Sequence, residues 1–270
     1  MDKRVQLREA VESIRDGMRI ALGGMTLYRR PVAAAIAIAA EGRRNLEIIT
    51  LTGGIETDLL IGAGCVKALR SCYTGLEIAG FAPHFTRCVQ NGSLQLIEET
   101  EYTLSYAIQA AAMRVPFLPM LGAIGHTGIV NVRPDMKQFN CPLTGARLFA
   151  VPAIEVDVAI LHATAADSRG NCNLQGQLAL DTHLPMVART TIVTAERIVS
   201  TDELQSMKGG IQIPGFAVTQ VVEMRGGSTP TSCPPQRPLD MNAVLDYADA
   251  AREPTAWAAW LTAATRRVLQ

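Results

Sequence analysis

Aromatic residues make up only 5% of this 270-residue sequence, and neither sign of charge is in excess, with 25 Lys plus Arg against 25 Asp plus Glu. Balanced charge gives no net field to draw the chain onto nucleic acid or an anionic membrane, so any anionic ligand has to be caught by local geometry. The six cysteines, Cys65, Cys72, Cys88, Cys141, Cys172 and Cys233, include no C-x-x-C pair and no neighbouring histidine cluster. That scatter argues against a zinc site and suits idle thiols in a reducing cytoplasm. Long apolar runs are missing as well: the longest, PVAAAIAIAA, is too short to span a bilayer. The opening MDKRVQLREAVESIRDG reads as a polar amphipathic helix and not as a secretion signal.

What is present is alternation. The pattern predicts a helix over 5–16, a strand over 18–22, a helix over 31–41, a strand over 46–51, a helix over 56–63 and a strand over 66–72. Such alternation indicates an α/β fold, an open and mostly parallel sheet with helices on both faces. LQLIEE (94–99) reads as a further strand, and 101–115 as a helix capped by Thr100. The Gly- and Pro-rich stretch from 116 to 146 lacks periodicity and is expected to be a long irregular loop. Strands resume with RLFAVPA, VDVAILHA, RTTIVTA and GFAVTQVVE, and a helical tail follows from position 242, with Trp257, Trp260 and Leu261 as its apolar stripe. No linker or change of composition divides the chain, so residues 1–270 are expected to form one domain.

Two glycine pairs, Gly23-Gly24 and Gly53-Gly54, each follow a strand, at the end of the sheet where open α/β folds place their ligands. Glycine there lets backbone approach a ligand, and Pro31 stands at the start of the next helix, whose free N–H groups attract negative charge. Arg29 and Arg30 either supply a fork to a phosphate or carboxylate or are simply solvated beside a tight turn. The spacing matches neither a dinucleotide fingerprint nor a Walker loop, which leaves NAD and ATP without support. Glu101 opens a helix, a place the helix dipole favours for any glutamate. In HATAADSRGNCN, His162 stands near Asp167 in a stretch with the composition of a tight turn, and no G-x-S-x-G elbow exists to complete a hydrolytic triad.

Taken in order, ALGGMTLYRRP, ITLTGG, EYT with AIQAAAMRVPFLP, LFAVPAIEVDVAILHATAADSRGN, VTAERIVSTDEL, IQIPGFAV and PTSC resemble the A-type (alpha) chains of class I coenzyme A-transferases, similar to the glutaconate type, from about residue 5 to 250. The resemblance implies the CoA-transferase fold and a heteromer of A-type and B-type subunits. It implies a glutamate of the B-type partner, in an E-x-G loop, as nucleophile, with acyl-glutamyl anhydride and glutamyl-CoA intermediates and ping-pong kinetics. Here the nearest imitation of that loop is Gln90-Asn91-Gly92, and an amide cannot form the anhydride. The implied substrates are a coenzyme A thioester and a small, dicarboxylic acid, with no permanently bound cofactor. Gly23, Gly24 and Met25 would line the cleft and offer N–H groups to the thioester oxygen, with Arg29, Arg30, Gly53 and Gly54 beside them. A valine at position 24 would then fill the cleft and leave the fold intact.

Relatives of the same architecture hydrolyse a ring carbon–carbon bond in steroid-derived CoA esters or decarboxylate a glutaconyl-type ester. In the hydrolytic branch the position of Glu101 is functional. A non-catalytic binding protein of related sheet topology is a third reading. The segment EMRGGSTPTSC departs from the family pattern, with Glu223 and Arg225 at the substrate-facing rim.

Overall fold

A computed structural model describes residues 1–269. Its strands, in chain order, are β1 (Arg19–Leu22), β2 (Leu46–Gly53), β3 (Val66–Thr74), β4 (Gln95–Glu98), β5 (Phe117–Leu121), β6 (Lys137–Asn140), β7 (Arg147–Pro152), β8 (Val158–Ala163), β9 (Ala165–Ala166), β10 (Cys172–Asn173), β11 (Thr190–Ala195) and β12 (Gln220–Glu223). The helices are α1 (Leu7–Glu12), α2 (Val32–Ala40), α3 (Ile55–Gly62), α4 (Pro83–Gln90), α5 (Glu101–Ala112), α6 (Ile129–Val132), α7 (Leu184–Val187), α8 (Thr201–Ser206), α9 (Met241–Ala250) and α10 (Pro254–Leu269).

The main sheet has seven strands in the order β12-β11-β8-β1-β2-β3-β4. All six pairings in it are parallel. Because β1 lies between β2 and β8, strand order reverses at β1, and the loops leaving β1 and β8 diverge above the sheet. The central strands are apolar on both sides: Ile20, Ile48, Val158, Ile160 and Ile192 pack with α2, α3 and the C-terminal helices, while Ala21, Ile49, Ala159, Leu161 and Val193 pack with α5 and the smaller sheet. Alanines dominate α2, and seven of its nine residues are buried. A helix apolar all round belongs between two layers, and α2 is sandwiched by the sheet and α10.

The stretch expected as an irregular loop is instead ordered. Residues 117–152 form a three-stranded antiparallel sheet in the order β5-β7-β6, with α6 in the connection. RLFAVPA therefore becomes β7 of this second sheet and does not join the parallel one. The helical tail is two helices, α9 and α10, with Trp257 and Trp260 stacked at 5.6 Å between ring centroids. Among the described residues, no helix is long and apolar enough to cross a membrane.

Candidate functional site: the paired glycine turns

At the carboxyl end of β1, Gly23 N–H continues the ladder to Ile160 O (2.9 Å). Gly24 then takes φ +80°, and a Cβ on it would come 2.5 Å from Tyr28 O and 2.7 Å from Arg29 O. The loop closes on itself through Met25 N–H to Tyr28 O (3.0 Å) and Tyr28 N–H to Met25 O (2.7 Å). Thr26 and Arg29 hold φ of +44° and +47°, a region costly for side chains with a Cβ and most so for β-branched threonine. Thr26 N–H reaches across to Thr52 O (3.1 Å) on β2, and Thr26 O lies where a Cβ on Gly54 would sit. The two glycine pairs are thus in contact.

Arg29 and Arg30 lie beneath the turn, fully buried, and this corrects the expectation of a fork open to an anion. Arg29 donates to Asp181 Oδ2 (2.6 Å), to His162 O (3.4 Å) and to Gln177 O. Arg30 donates to Gly24 O (2.8 Å), Thr52 O (3.3 Å), Thr50 Oγ1 (2.9 Å) and Glu56. A buried guanidinium demands such partners; the terminal nitrogens of both are committed to holding the turn, and each Nε is left without an acceptor among the described residues. The expected N–H donors of residues 23–25 are committed too, since Gly24 N–H donates to Asp181 Oδ1 at 2.7 Å. The start of α2 is closed in the same way, with Ala33 N–H bonded to Gly227 O (2.9 Å).

The second turn is buried as well, but one of its donors is unspent. Gly53 has no side chain, and a Cβ there would stand 3.0 Å from Thr74 Oγ1 and 3.1 Å from Thr57 Oγ1. The Thr74 hydroxyl is buried without a partner among the described residues. The first turn of α3, which follows Gly54, has no side-chain cap. The Thr57 hydroxyl donates to Glu56 Oε1, so the Thr74 hydroxyl and the uncapped helix start are the donors left around Gly53, a set suited to an oxygen that gains negative charge. Thr74 also lines a cleft of about 200 Å³ with Ser71, Cys72, Tyr73, Glu98 and Glu99.

Glu101 follows β4, two strands from the Gly53 turn at the end of β2, and its charge reaches Cys72 in the cleft that Thr74 lines, so it lies apart from the Gly23–Gly24 turn on β1. It is exposed, and the helix start beside it is already capped by the reciprocal pair Thr100 and Thr103. The neighbouring Glu99 is buried and occupied by Arg70 Nη1 (2.8 Å), Thr103 Oγ1 (2.5 Å) and Arg133. Burial, then the charges of Glu101 and Glu99, push the Cys72 thiol up to about 11, so it stays protonated.

His162 does not meet Asp167. Asp167 closes the tight turn by accepting from Arg169 N–H and Asn171 N–H (both 2.9 Å) and from Thr201 Oγ1 (2.7 Å), with Gly170 at φ +90°. His162 is buried between Thr194 Oγ1 (2.8 Å) and Glu196 Oε1 (3.1 Å). Burial depresses its pKa below the ordinary value. Burial alone would raise Glu196, but hydrogen bonds from His162 and Gly226 N–H outweigh it and hold the carboxyl at about 2. Cys233 approaches both, and the three donor atoms lie within 4.8 Å of one another. His162 already uses both ring nitrogens, and Arg237 stands 3.4 Å from Glu196, so His162 and Glu196 are a hydrogen-bonded pair with their ligand atoms engaged, and Cys233 stands beside them. Asp181, Glu56, Thr57 and Thr74 carry no signal in the sequence; none belongs to a motif, and each acquires its part only from the fold.

The family model for coenzyme A transferase matches residues 4–224. The chain belongs to that family. Over 265 residues it is 32% identical to the A-type chain of 3-oxoadipate CoA-transferase from Pseudomonas knackmussii, covering 97% of this chain and 93% of that one. It is 30% identical to the cholesterol ring-cleaving hydrolase IpdA subunit of Mycobacterium tuberculosis, over 95% of this chain and 90% of that one. The crystal structure of glutaconate coenzyme A-transferase from Acidaminococcus fermentans superposes with a TM-score of 0.89 at 29% identity, covering 96% of this chain and 87% of that one. The expected fold is thereby confirmed: a parallel sheet covered by helices, with the transferase topology.

Proposed function

We propose that this chain is the A-type half of a two-subunit enzyme that moves coenzyme A from an acyl-CoA thioester to a small dicarboxylic acid, the attacking glutamate coming from a B-type partner. The observation that carries the reading is the unspent donor set at Gly53, the Thr74 hydroxyl and the start of α3, beside a glutamate, Glu56, that Arg30 and Thr57 already engage. Asp181, Glu56 and Glu99 are each held by arginine. The near-full-length likeness to A-type transferase chains supports the same assignment.

In this scheme the partner's glutamate attacks the thioester carbonyl, and the carbonyl oxygen becomes an oxyanion. Thr74 and the first turn of α3 donate to it. Collapse breaks the carbon–sulfur bond, releasing CoA thiolate and leaving an acyl-glutamyl anhydride. The thiolate then attacks the glutamyl carbonyl, freeing the acyl group as its acid, and the resulting glutamyl-CoA passes CoA to the second acid by the reverse steps. Coenzyme A is a substrate throughout, no resident prosthetic group is called for, and the cytoplasm is the assigned location. Arg29 and Arg30 act by fixing the turn that walls this space.

The test is an assay of the chain with and without its B-type partner. The pair gives parallel-line, ping-pong kinetics and the single chain none; robust turnover by the single chain would contradict the division of labour. A second reading, hydrolysis of a CoA ester, is favoured by one observation: Glu101 is an exposed carboxylate standing near the rim of the cleft that Thr74 lines.

A further inference from the structure

The three-stranded sheet β5-β7-β6 is apolar on both sides. One side packs inward: Met120, Phe149 and Val151 share a core cluster with Leu104, Ala107 and Ile108 of α5. In turn α5 touches β2 and β3, so it separates this sheet from the main one and leaves the other side of the small sheet as the outermost layer there. Side chains alternate along a strand, and the pairing register fixes which of them share a face. Leu121 stands opposite Leu148, Pro119 opposite Ala150, and Phe139 opposite the same Leu148, which puts Phe117, Pro119, Leu121, Phe139, Leu148 and Ala150 together on the outer side. The rings of Phe117 and Phe139, one from each edge strand, meet there edge to face at 5.7 Å between centroids. Phe117 is 38% exposed and Leu121 73%. Lys137, opposite Ala150, is the one charge on this side, and no acidic residue occurs in the three strands.

An antiparallel sheet commonly buries one apolar side and wets the other, so a second apolar side is built to be covered. The edges are unsuited to receiving an added strand: Pro119 removes an N–H from β5, and β6 has four residues. Cover therefore comes face to face. With one charge at its margin, the face gives a different partner no charge pattern to read, whereas a two-fold contact matches one patch with itself and needs none. At about 3.4 Å per residue and 4.8 Å per strand, the face spans roughly 240 Å². That suits the apolar core of an interface of about 800 Å² per partner, with a rim supplied by the flanking 141–146 hairpin, where Leu143 is exposed. The B-type chain has its place elsewhere, since its glutamate must arrive over Thr74 and the start of α3, at the carboxyl ends of β2 and β3. We infer that the outer side of the small sheet is the contact between two copies of this chain, each carrying its own B-type partner, an inference that rests on the two-subunit reading above for its exclusion of that partner.

The light-scattering mass of the assembled two-subunit enzyme counts the copies. The parent particle holds two of this chain, each of 29.0 kDa. Leu121→Glu with Ala150→Glu sets like charges against each other across the contact, and that particle holds one copy and keeps its B-type chain. A parent particle with a single copy, or a double variant that still holds two, overturns the inference. A double variant that no longer pairs with the B-type chain assigns the face to that chain and overturns it as well. Should the double variant fail to fold, Leu121→Ser, which trims one exposed side chain, decides by dilution. Counted twice in a two-fold contact, the lost burial raises the dissociation constant of the two copies about tenfold or more, and an unchanged constant overturns the inference. A parent that holds no B-type chain sinks the two-subunit reading instead, and the number of copies of this chain still decides the contact.

Discussion

Gly24 and Asp181, 157 positions apart in the chain, are joined by a 2.7 Å hydrogen bond from the glycine N–H to the aspartate Oδ1. The other oxygen of Asp181 accepts from Arg29 at 2.6 Å, and a Cβ on Gly23 would come 2.7 Å from Oδ1. One buried carboxylate therefore occupies the space that Gly23 leaves, takes the donor that Gly24 offers and neutralises the cation beneath the turn.

Asp181→Ala is expected to cost about 3–5 kcal/mol, because it strands the Arg29 guanidinium in a site without solvent. In a chain of this length, that lowers Tm by roughly 10 °C. Replacing both partners with apolar residues, Asp181→Leu with Arg29→Met, should recover much of the loss. Thermal melts of the three proteins check this; a single variant that melts with the parent would remove Asp181 from the framework of the turn.

Gly24 and Gly53 should fail in different ways. At Gly24 a side chain meets backbone carbonyls of its own turn at positive φ, so Gly24→Ala costs on the order of 2 kcal/mol or more of stability, and the idea that a larger residue here would only block a cleft is wrong. At Gly53 the nearest atoms to an added methyl are two hydroxyls and one methyl of side chains, at 3.0–3.2 Å, and not backbone. Gly53→Ala should melt near the parent and lose turnover, because the methyl fills the space proposed for the thioester oxygen. Equal melting of both variants would contradict the distinction.

The parallel sheet was legible because its strands are short apolar runs separated by helical periods, and six of its seven strands were placed within two residues; the exception is β12, which begins five residues into GFAVTQVVE. The antiparallel sheet was legible only in part: RLFAVPA reads as a strand and is β7, but β6 lies in the stretch expected as a loop, and β5 contains Pro119 and exposes Phe117 and Leu121. The two glycine turns were visible as sequence, but the state of their arginines was not. Nothing local distinguishes a solvated Arg29 from one neutralised by an aspartate 152 residues away. For the same reason proximity in sequence groups His162 with Asp167, five residues off, when its partner is Glu196 on the next strand's loop.

Acid should unfold the protein through that last pair. Both groups have depressed pKa values, Glu196 at about 2 against an ordinary 4.5, and His162 below its ordinary 6.5. A depressed value means the stabilising contribution is complete above the ordinary pKa and is lost as pH falls toward the folded one. Melting temperature should therefore begin to fall below about pH 6.5 as His162 takes its share, and steepen below about 4.5. Asp58 acts in the opposite sense. Burial raises it to about 6 against the hydrogen bond from Tyr247, so its contribution is full below its ordinary 3.8 and is lost as pH rises through 6. In Glu196→Gln the steep limb below 4.5 should flatten; an unchanged profile would place the acid sensitivity elsewhere.

Glu101→Gln separates the two reaction types. The residue is exposed and does no capping, so the substitution should leave Tm unchanged. In a transferase whose nucleophile stands on the partner, Glu101 touches no transferred proton, and kcat should stay within about threefold of the parent. In a hydrolase the same carboxylate would have to take or give a proton during carbon–carbon cleavage, and loss of such a general base costs about 10²–10⁴ in kcat. The transferase reading predicts the smaller effect. A collapse of turnover at unchanged Tm would shift the assignment to hydrolysis, because only a group engaged in the chemical step can matter so much where it matters so little to the fold.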